Sequence, residues 1–216
     1  MNLPRPAPAR KTIAGRYARL EPLSLDHAAQ LYQACRGEKN RDRFRYVFEY
    51  PPENQGDIED WIEQVQTPAD PMFFAVIDQA SGQCEGRQAL MNIFPEFGRI
   101  ELGSIFWGMA IARTRIATEA TYLHLKYAFD ELGYRRFEWK CNNDNAASKH
   151  AAERFGFTFE GVFRQHLVIK GANRDTAWFS IIDSDWPAIR QAFEDWLAPE
   201  NFDSDGNQIN KLAAHP

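Results

Sequence analysis

Apolar and polar positions alternate along this chain with two distinct periods, and each period occupies its own stretches. Arg16-Tyr17-Ala18-Arg19-Leu20-Glu21 alternates with period two and predicts an edge strand. Ser24 then precedes Leu25, Ala28, Ala29, Leu31, Tyr32 and Cys35, whose spacing is helical with Ser24 as its start signal. Between Gly37 and Pro52 charged and aromatic residues mix without a clear period, after which Ile58, Trp61, Ile62 and Val65 share one stripe of a short helix over Asp57 to Val65. Met72 to Ile77 is a compact apolar run that ends at Asp78 to Gln83, and Gln88 to Phe94 follows at hairpin distance. Gly98 introduces a third strand, Arg99 to Trp107, so the three read as an antiparallel meander rather than parallel crossovers.

The second half changes character. From Thr114 to Leu132, Ile116, Ala120, Leu123 and Tyr127 form one helical stripe and Tyr122, Leu125, Phe129 and Leu132 another, which predicts a helix covered on two sides and ended by Gly133. Arg136 to Cys141 alternates as a strand, Asn145 is a good N-cap for a helix through Phe155, and Gly156-Phe157 ends it. Thr158 to Ile169 and Thr176 to Ile182 supply two more strands around the turn Lys170-Gly171-Ala172-Asn173, and a helix from about Pro187 to Leu197 closes the pattern. The expected fold class is α+β, with a mixed, mostly antiparallel central sheet flanked by helices. No repeat and no second domain boundary is visible, so residues 15–197 read as one domain. Residues 1–14, rich in Pro, Ala and Arg, read as a flexible arm or a loose strand against a partner, and residues 198–216 as a disordered tail.

Composition narrows the function classes. With 216 residues, 44% hydrophobic and 25% charged, the chain has ordinary globular proportions, which excludes collagen-like, fibrous and wholly disordered readings. No apolar run approaches membrane-spanning length and the first ten residues hold no apolar signal core, so a cytoplasmic protein without a membrane partner is expected. The net charge of -5 gives a field that repels nucleic acid, so any anionic ligand must be held locally. Cys35, Cys84 and Cys141 are odd in number and lack partners at metal spacing, which predicts neither a disulfide framework nor a metal site.

The segment Ile111-Ala112-Arg113-Thr114-Arg115-Ile116-Ala117-Thr118-Glu119-Ala120 joins a strand to a buried helix and is locally basic. Helix-start amides and the positive dipole end, with Arg113 and Arg115 beside them, make a diphosphate cradle. An ordinary strand-to-helix turn with solvated arginines has the same spacing, and both readings stay open at this level. The stretch from Cys141 to Gly161, CNNDNAASKHAAERFGFTFEG, adds a strand, Asn-x-x-Ser at a helix start, Ala-x-x-x-Gly-Phe and Glu-Gly. Together with Ala117-Thr118-Glu119-Ala120 and the later strand Arg174 to Ser180, this resembles the GNAT N-acetyltransferase superfamily, in the branch that acetylates the N-termini (alanine or serine) of ribosomal proteins. The resemblance covers roughly Arg16 to Trp196 and is specific to superfamily and branch, not to substrate.

The resemblance implies acetyl-CoA as cosubstrate, with its diphosphate at Arg113, Thr114, Arg115, Ile116 and Ala117, its pantetheine on the strand backbone at Phe106 and Trp107, and Asn145 beside it. It implies Ser148 as the acid that protonates the departing thiolate, since the Tyr many members use falls here on Ala152. For the base, Glu101 lies where other members keep a catalytic Glu; the branch's own position is Leu167, with His166 next to it. Ala112 stands where Gln or Arg is usual and Arg115 where the loop's central Gly is usual. Those departures keep a second reading in play, a CoA-binding or regulatory protein that retained the fold and lost its chemistry. Ser148 can equally serve as a helix-start residue satisfying local backbone. Glu101 can equally be a solvent-facing strand residue, and Glu119 reads as dipole compensation. Cys141 reads as core and His124 and His150 as structural or surface residues. The expected acceptor is a peptide N-terminus or a small amine. Glu49 and Glu53, among the aromatics of Phe44 to Glu59, either steer a cationic acceptor or lie where those aromatics close the core. The N-terminal arm leaves a homodimer open.

Overall fold

The structure, a computed structural model, describes residues 3–214. Eight strands, β1 (Ile13–Ala14), β2 (Ala18–Pro22), β3 (Met72–Asp78), β4 (Cys84–Phe94), β5 (Arg99–Trp107), β6 (Arg136–Asn142), β7 (Thr158–Ile169) and β8 (Ala172–Ile182), form one sheet in the order β1-β2-β3-β4-β5-β6-β8-β7. The helices are α1 (Ala28–Cys35), α2 (Glu38–Arg41), α3 (Gln55–Val65), α4 (Arg115–Lys126), α5 (Ala146–Arg154) and α6 (Trp186–Leu197). Pairing is antiparallel for β1 with β2, β2 with β3, β3 with β4, β6 with β8 and β7 with β8. The α+β class with a mostly antiparallel sheet is therefore the observed one.

Local departures from the periodicity have local causes. The aperiodic stretch after Gly37 holds α2 and a 3-10 turn over Asp42–Tyr46, elements too short to show a period. The long helix predicted to Leu132 ends as α-helix at Lys126 and widens into a π turn over Tyr127–Glu131 before Gly133 turns the chain at φ +67°. Strand β8 begins at Ala172, four residues earlier than its apolar run indicates, because Lys170 and Gly171 both adopt positive φ, 51° and 76°, and close a tight two-residue hairpin.

The described residues group into two compact units. One comprises residues 8–93 and 102–124 and the other residues 3–7, 94–101 and 125–214. The chain crosses between them after Ala7, inside β4 after Ile93, inside β5 after Glu101 and inside α4 after His124, so three of the four crossings fall within regular elements rather than in a linker. In the first unit Leu31, Cys35, Ile58 and Ile62 from α1 and α3 pack on Phe73, Ala75 and Ile77 of β3 and Ala89 of β4. In the second, Phe137 and Trp139 of β6 meet Phe155 and Phe157, and Phe193 of α6 stacks on Phe155 at 6.0 Å.

The chain ends carry contacts of their own. Ile13 and Ala14 pair with Leu20 and Arg19, and the Arg5 amide donates to the Pro95 carbonyl at 2.9 Å. Toward the C-terminus, Trp196 Nε1 donates to Gln208 Oε1 at 3.0 Å, and Asn201 is buried with bonds to Trp196 and Asn210. Gly156, at φ +87°, leaves only 2.7 Å between a would-be Cβ and the Ala214 carbonyl, so this last stretch packs against the end of α5. Of the arm and tail read from the sequence, residues 1–2 and 215–216 lie outside the described residues.

Candidate active site

Strand β5 delivers Phe106 and Trp107 to the basic loop. Phe106 is buried against Phe44, ring centroids 4.8 Å apart, so its side chain is core. Trp107 donates from Nε1 to Gln88 Oε1 at 3.1 Å, and Gln88 Nε2 reaches the Ala120 carbonyl and His124 Nδ1, each at 2.9 Å. One wholly buried glutamine thus ties β4, β5 and α4 together. His124, also wholly buried, is kept neutral by burial, which lowers its pKa to about 3. Gly108 donates to the Glu85 carbonyl at 2.8 Å, and a Cβ there would lie 2.9 Å from the same oxygen, so only glycine permits this approach.

The loop then turns into α4. The amides of Ile111 and Ala112 both donate to the Gly108 carbonyl, Arg113 takes a left-handed φ of +66°, and the Thr114 hydroxyl accepts from the Ile116 amide at 3.2 Å as a helix cap. Arg113 is exposed. Arg115 lies over the Tyr17 ring at 4.4 Å. A third arginine, absent from the sequence-based set, joins them: Arg43 donates to Met109 Sδ at 3.0 Å, and its pKa is lowered first by burial and then by the charge of Arg113. Ala117 is buried in the first turns of the helix.

Glu119 is engaged in holding the backbone. Its carboxylate accepts from the amides of Arg16 (2.9 Å), Tyr17 (2.5 Å) and Ala18 (2.6 Å), clamping the turn that enters β2. Of the two acidic candidates in the aromatic stretch, Glu53 is exposed and Glu49 is similarly occupied. Glu49 pairs with the buried guanidinium of Arg87 at 3.0 Å, and Arg87 also donates to the Ser104 carbonyl (2.6 Å) and hydroxyl (2.7 Å) where β5 bends at a positive φ of 47°. Trp61 stacks under Arg87 at 4.3 Å and edge-on to Phe73 at 5.1 Å, and Phe44, the first residue of that stretch, is buried in the same core.

In the second unit Asn145 caps α5 as its spacing indicates, its Oδ1 accepting from the Ser148 amide at 3.1 Å. The Ser148 hydroxyl is consequently not needed for capping; it accepts from Trp139 Nε1 at 3.0 Å. Nearby, Cys141 is buried and its thiol is pushed up by burial, with Ser148 acting against that shift. A protonated, buried thiol fits the core reading of Cys141. Ala152 is fully buried.

The opposite face of β6 presents charge. Arg136, Glu138 and Lys140 alternate with Phe137, Trp139 and Cys141, so all three project from one side. Glu101, buried rather than solvent-facing, accepts from Lys140 Nζ at 2.7 Å; the same ammonium lies 2.9 Å from Glu138 and 4.0 Å from the Trp178 ring centre. Burial opposes ionisation of Glu138, yet Arg136 and Lys140 hold its carboxyl below the ordinary range. His166 bonds Thr176 Oγ1 at 3.0 Å and sits 6.1 Å from Trp178. The two candidate bases, Glu101 through Lys140 and His166 directly, therefore converge on one tryptophan. Beside it opens a cleft of about 440 Å³ lined by Arg99, Arg136, Glu138, Glu160, Phe163 and Trp178. The charge pattern of β6 was readable as an alternation; its partners on β5, β7 and β8 were not, because they come from strands 20 to 40 residues away in sequence. Among the described residues no group of three or more His, Cys, Asp or Glu is placed to hold a metal, and no helix is long and apolar enough to cross a membrane.

Comparison with known proteins gives these features a family. The chain is similar over 97% of its length, and 95% of the other's, to a GCN5-related N-acetyltransferase from Brucella melitensis, with 56% identity and a TM-score of 0.95. It is 37% identical to a GNAT-family acetyltransferase structure from Chromobacterium violaceum, covering 86% of this chain and 93% of that one at a TM-score of 0.80. Over 71 residues it is 32% identical to YdaF of Bacillus subtilis strain 168, which carries the name of a ribosomal N-acetyltransferase; that match spans 33% of this chain and 39% of YdaF. The model of the acetyltransferase (GNAT) domain matches residues 18–158, from β2 to the start of β7, and by that match the chain belongs to the GNAT acetyltransferase family.

Proposed function

We propose that the protein transfers the acetyl group of acetyl-CoA to a primary amine, a peptide N-terminus or a small amine compound. The observation that carries this reading is the loop into α4, where Thr114 caps the helix and Arg43 and Arg113 add positive charge to the helix start. That donor set suits a diphosphate, and it supplies by charge what the loop lacks in glycine. Arg115, turned onto Tyr17, leaves the amides of the first turn uncovered by its own side chain.

In this reaction the acceptor nitrogen bonds to the acetyl carbon, the carbon–sulfur bond breaks, the nitrogen gives up a proton and the sulfur takes one. Ser148 supplies the proton to the sulfur and is reprotonated by the one the nitrogen releases. Glu101, held by Lys140, and His166, near Trp178, accept from the nitrogen directly or through water. Among the described residues no activated nucleophile accompanies them, which favours direct transfer over an acyl-enzyme.

Thiol release from acetyl-CoA, followed across a panel of small amines and peptides with free N-termini, tests the reading. Acetyl-CoA-dependent thiol release that requires an amine supports it. Tight CoA binding with no release above the hydrolytic background for any amine would favour the binding or regulatory alternative.

A further inference from the structure

Trp139 lies in the interior of β6, 4% exposed, its ring held between Phe155 at 6.1 Å and Phe157 at 5.7 Å. From that fixed position its indole reaches the Ser148 hydroxyl, nine residues further along the chain, at 3.0 Å. An indole N–H donates and never accepts, so the direction of this bond is settled by chemistry. The Ser148 oxygen must be the acceptor, and its own proton must point elsewhere.

We propose that Trp139 is a positioning residue for proton delivery by Ser148. The inference rests on the acetyl-transfer reading above and on Ser148 as the proton donor in it. Three consequences follow from one hydrogen bond. The indole fixes the Ser148 oxygen relative to a rigid aromatic cluster rather than leaving the hydroxyl to choose a rotamer. It occupies a lone pair on the side facing the core, so the hydroxyl proton is left to other acceptors, the neighbouring Cys141 sulfur in the resting fold and the departing sulfur in the reaction. It also stabilises negative charge on the oxygen as the proton leaves, without a second base. Asn145 completes the arrangement by capping α5 itself, so that the Ser148 hydroxyl owes nothing to the helix terminus.

The test is a double-mutant cycle on kcat and on both KM values, using Trp139→Phe, Ser148→Ala and the pair. Trp139→Phe keeps an aromatic ring and removes the donor; it should lower kcat about three- to tenfold with both KM values within about twofold. If Trp139 acts through Ser148, adding Trp139→Phe to Ser148→Ala changes nothing further. A double mutant slower than Ser148→Ala by the full factor of the single Trp139→Phe change would show a packing role and overturn the inference. So would a Trp139→Phe protein with undiminished kcat. The underlying reading fails separately: Ser148→Ala with full turnover removes Ser148 as proton donor, and the inference with it. Should Trp139→Phe not fold, the indole N–H resonance of Trp139 serves instead. It should move upfield and exchange faster in Ser148→Ala, and an unchanged resonance would mean the bond does not exist in solution.

Discussion

Ser148 illustrates how a residue's meaning depends on what its neighbours already do. Its position three residues after Asn145 is compatible with capping or with catalysis, and because Asn145 takes the cap, the hydroxyl is directed to the indole of Trp139. Ser148→Ala is expected to lower turnover about 10- to 100-fold while leaving CoA affinity within a few-fold, measured by steady-state kinetics and calorimetry. Retained turnover would return Ser148 to a local structural role. Glu119 runs the other way. It stands in the segment most resembling the family and its carboxylate is engaged by three backbone amides. Glu119→Ala should cost about 2–4 kcal/mol of stability, read as a lower urea midpoint, because amides that shared a charged acceptor lose it. Glu119→Gln, which keeps one acceptor oxygen, should cost less. Equal, negligible losses for both would mean water replaces the carboxylate at no expense.

At the scale of elements, the start of α4 and the outer face of β6 have different logics. The α4 loop concentrates positive charge where helix amides converge, with Arg43 brought in from the 3-10 turn after α2. Arg113→Glu together with Arg115→Glu should weaken acetyl-CoA binding at least about tenfold, roughly 1.4 kcal/mol. Because Arg115 stacks on Tyr17 and Arg113 is exposed, Arg113→Glu alone should account for the larger share. Unchanged calorimetric affinity in the folded double mutant would place the cosubstrate elsewhere. On β6, by contrast, the charges neutralise one another: Arg136 grips Glu160 through both terminal nitrogens at 2.7 and 2.6 Å, and Ser180 adds a bond to the same carboxylate at 2.6 Å. The adjoining cleft therefore presents a charge-balanced, aromatic wall instead of a single-sign field. Glu49, facing buried Arg87, likewise contributes no unbalanced charge with which to steer a cation.

For the whole molecule, these buried groups set how stability responds to acid. His124 has its pKa lowered by burial to about 3, against 6.5 when exposed, so the unfolded chain binds a proton that the folded chain refuses across that interval. Stability from this group is complete above pH 6.5 and falls as pH drops toward 3. Glu138, held low by Arg136 and Lys140 against its burial, and Glu160, held low chiefly by Arg136, act in the same direction in a lower window, beginning below the unfolded carboxylate value of about 4.3. Urea denaturation should therefore show a loss of about 2–3 kcal/mol between roughly pH 6.5 and 4.5 that His124→Leu largely abolishes. Parallel slopes for the two proteins would mean that His124 is not kept neutral in the fold.

Strand, turn and helix periods by themselves determined the α+β class, the meander of β3 to β5, the N-cap at Asn145 and the basic entry to α4, because each depends on residues within a few positions of one another. Side-chain alternation alone likewise put Arg136, Glu138 and Lys140 on one face of β6. The sequence also carried the family, since Asn-x-x-Ser, Gly-Phe and Thr-Glu-Ala are local strings. Partnership was decided only by tertiary structure. That Glu119 clamps residues 16–18, that Glu101 is buried against Lys140, that Arg43 joins Arg113, and that Trp139 rather than backbone engages Ser148 are all pairings made by sheet register and helix packing. Periodicity reports which face of an element a side chain occupies; which polar group waits on the facing element depends on how distant segments align. A buried charge or hydroxyl must find its partner there, because leaving it unpaired away from water costs more than the fold can spare.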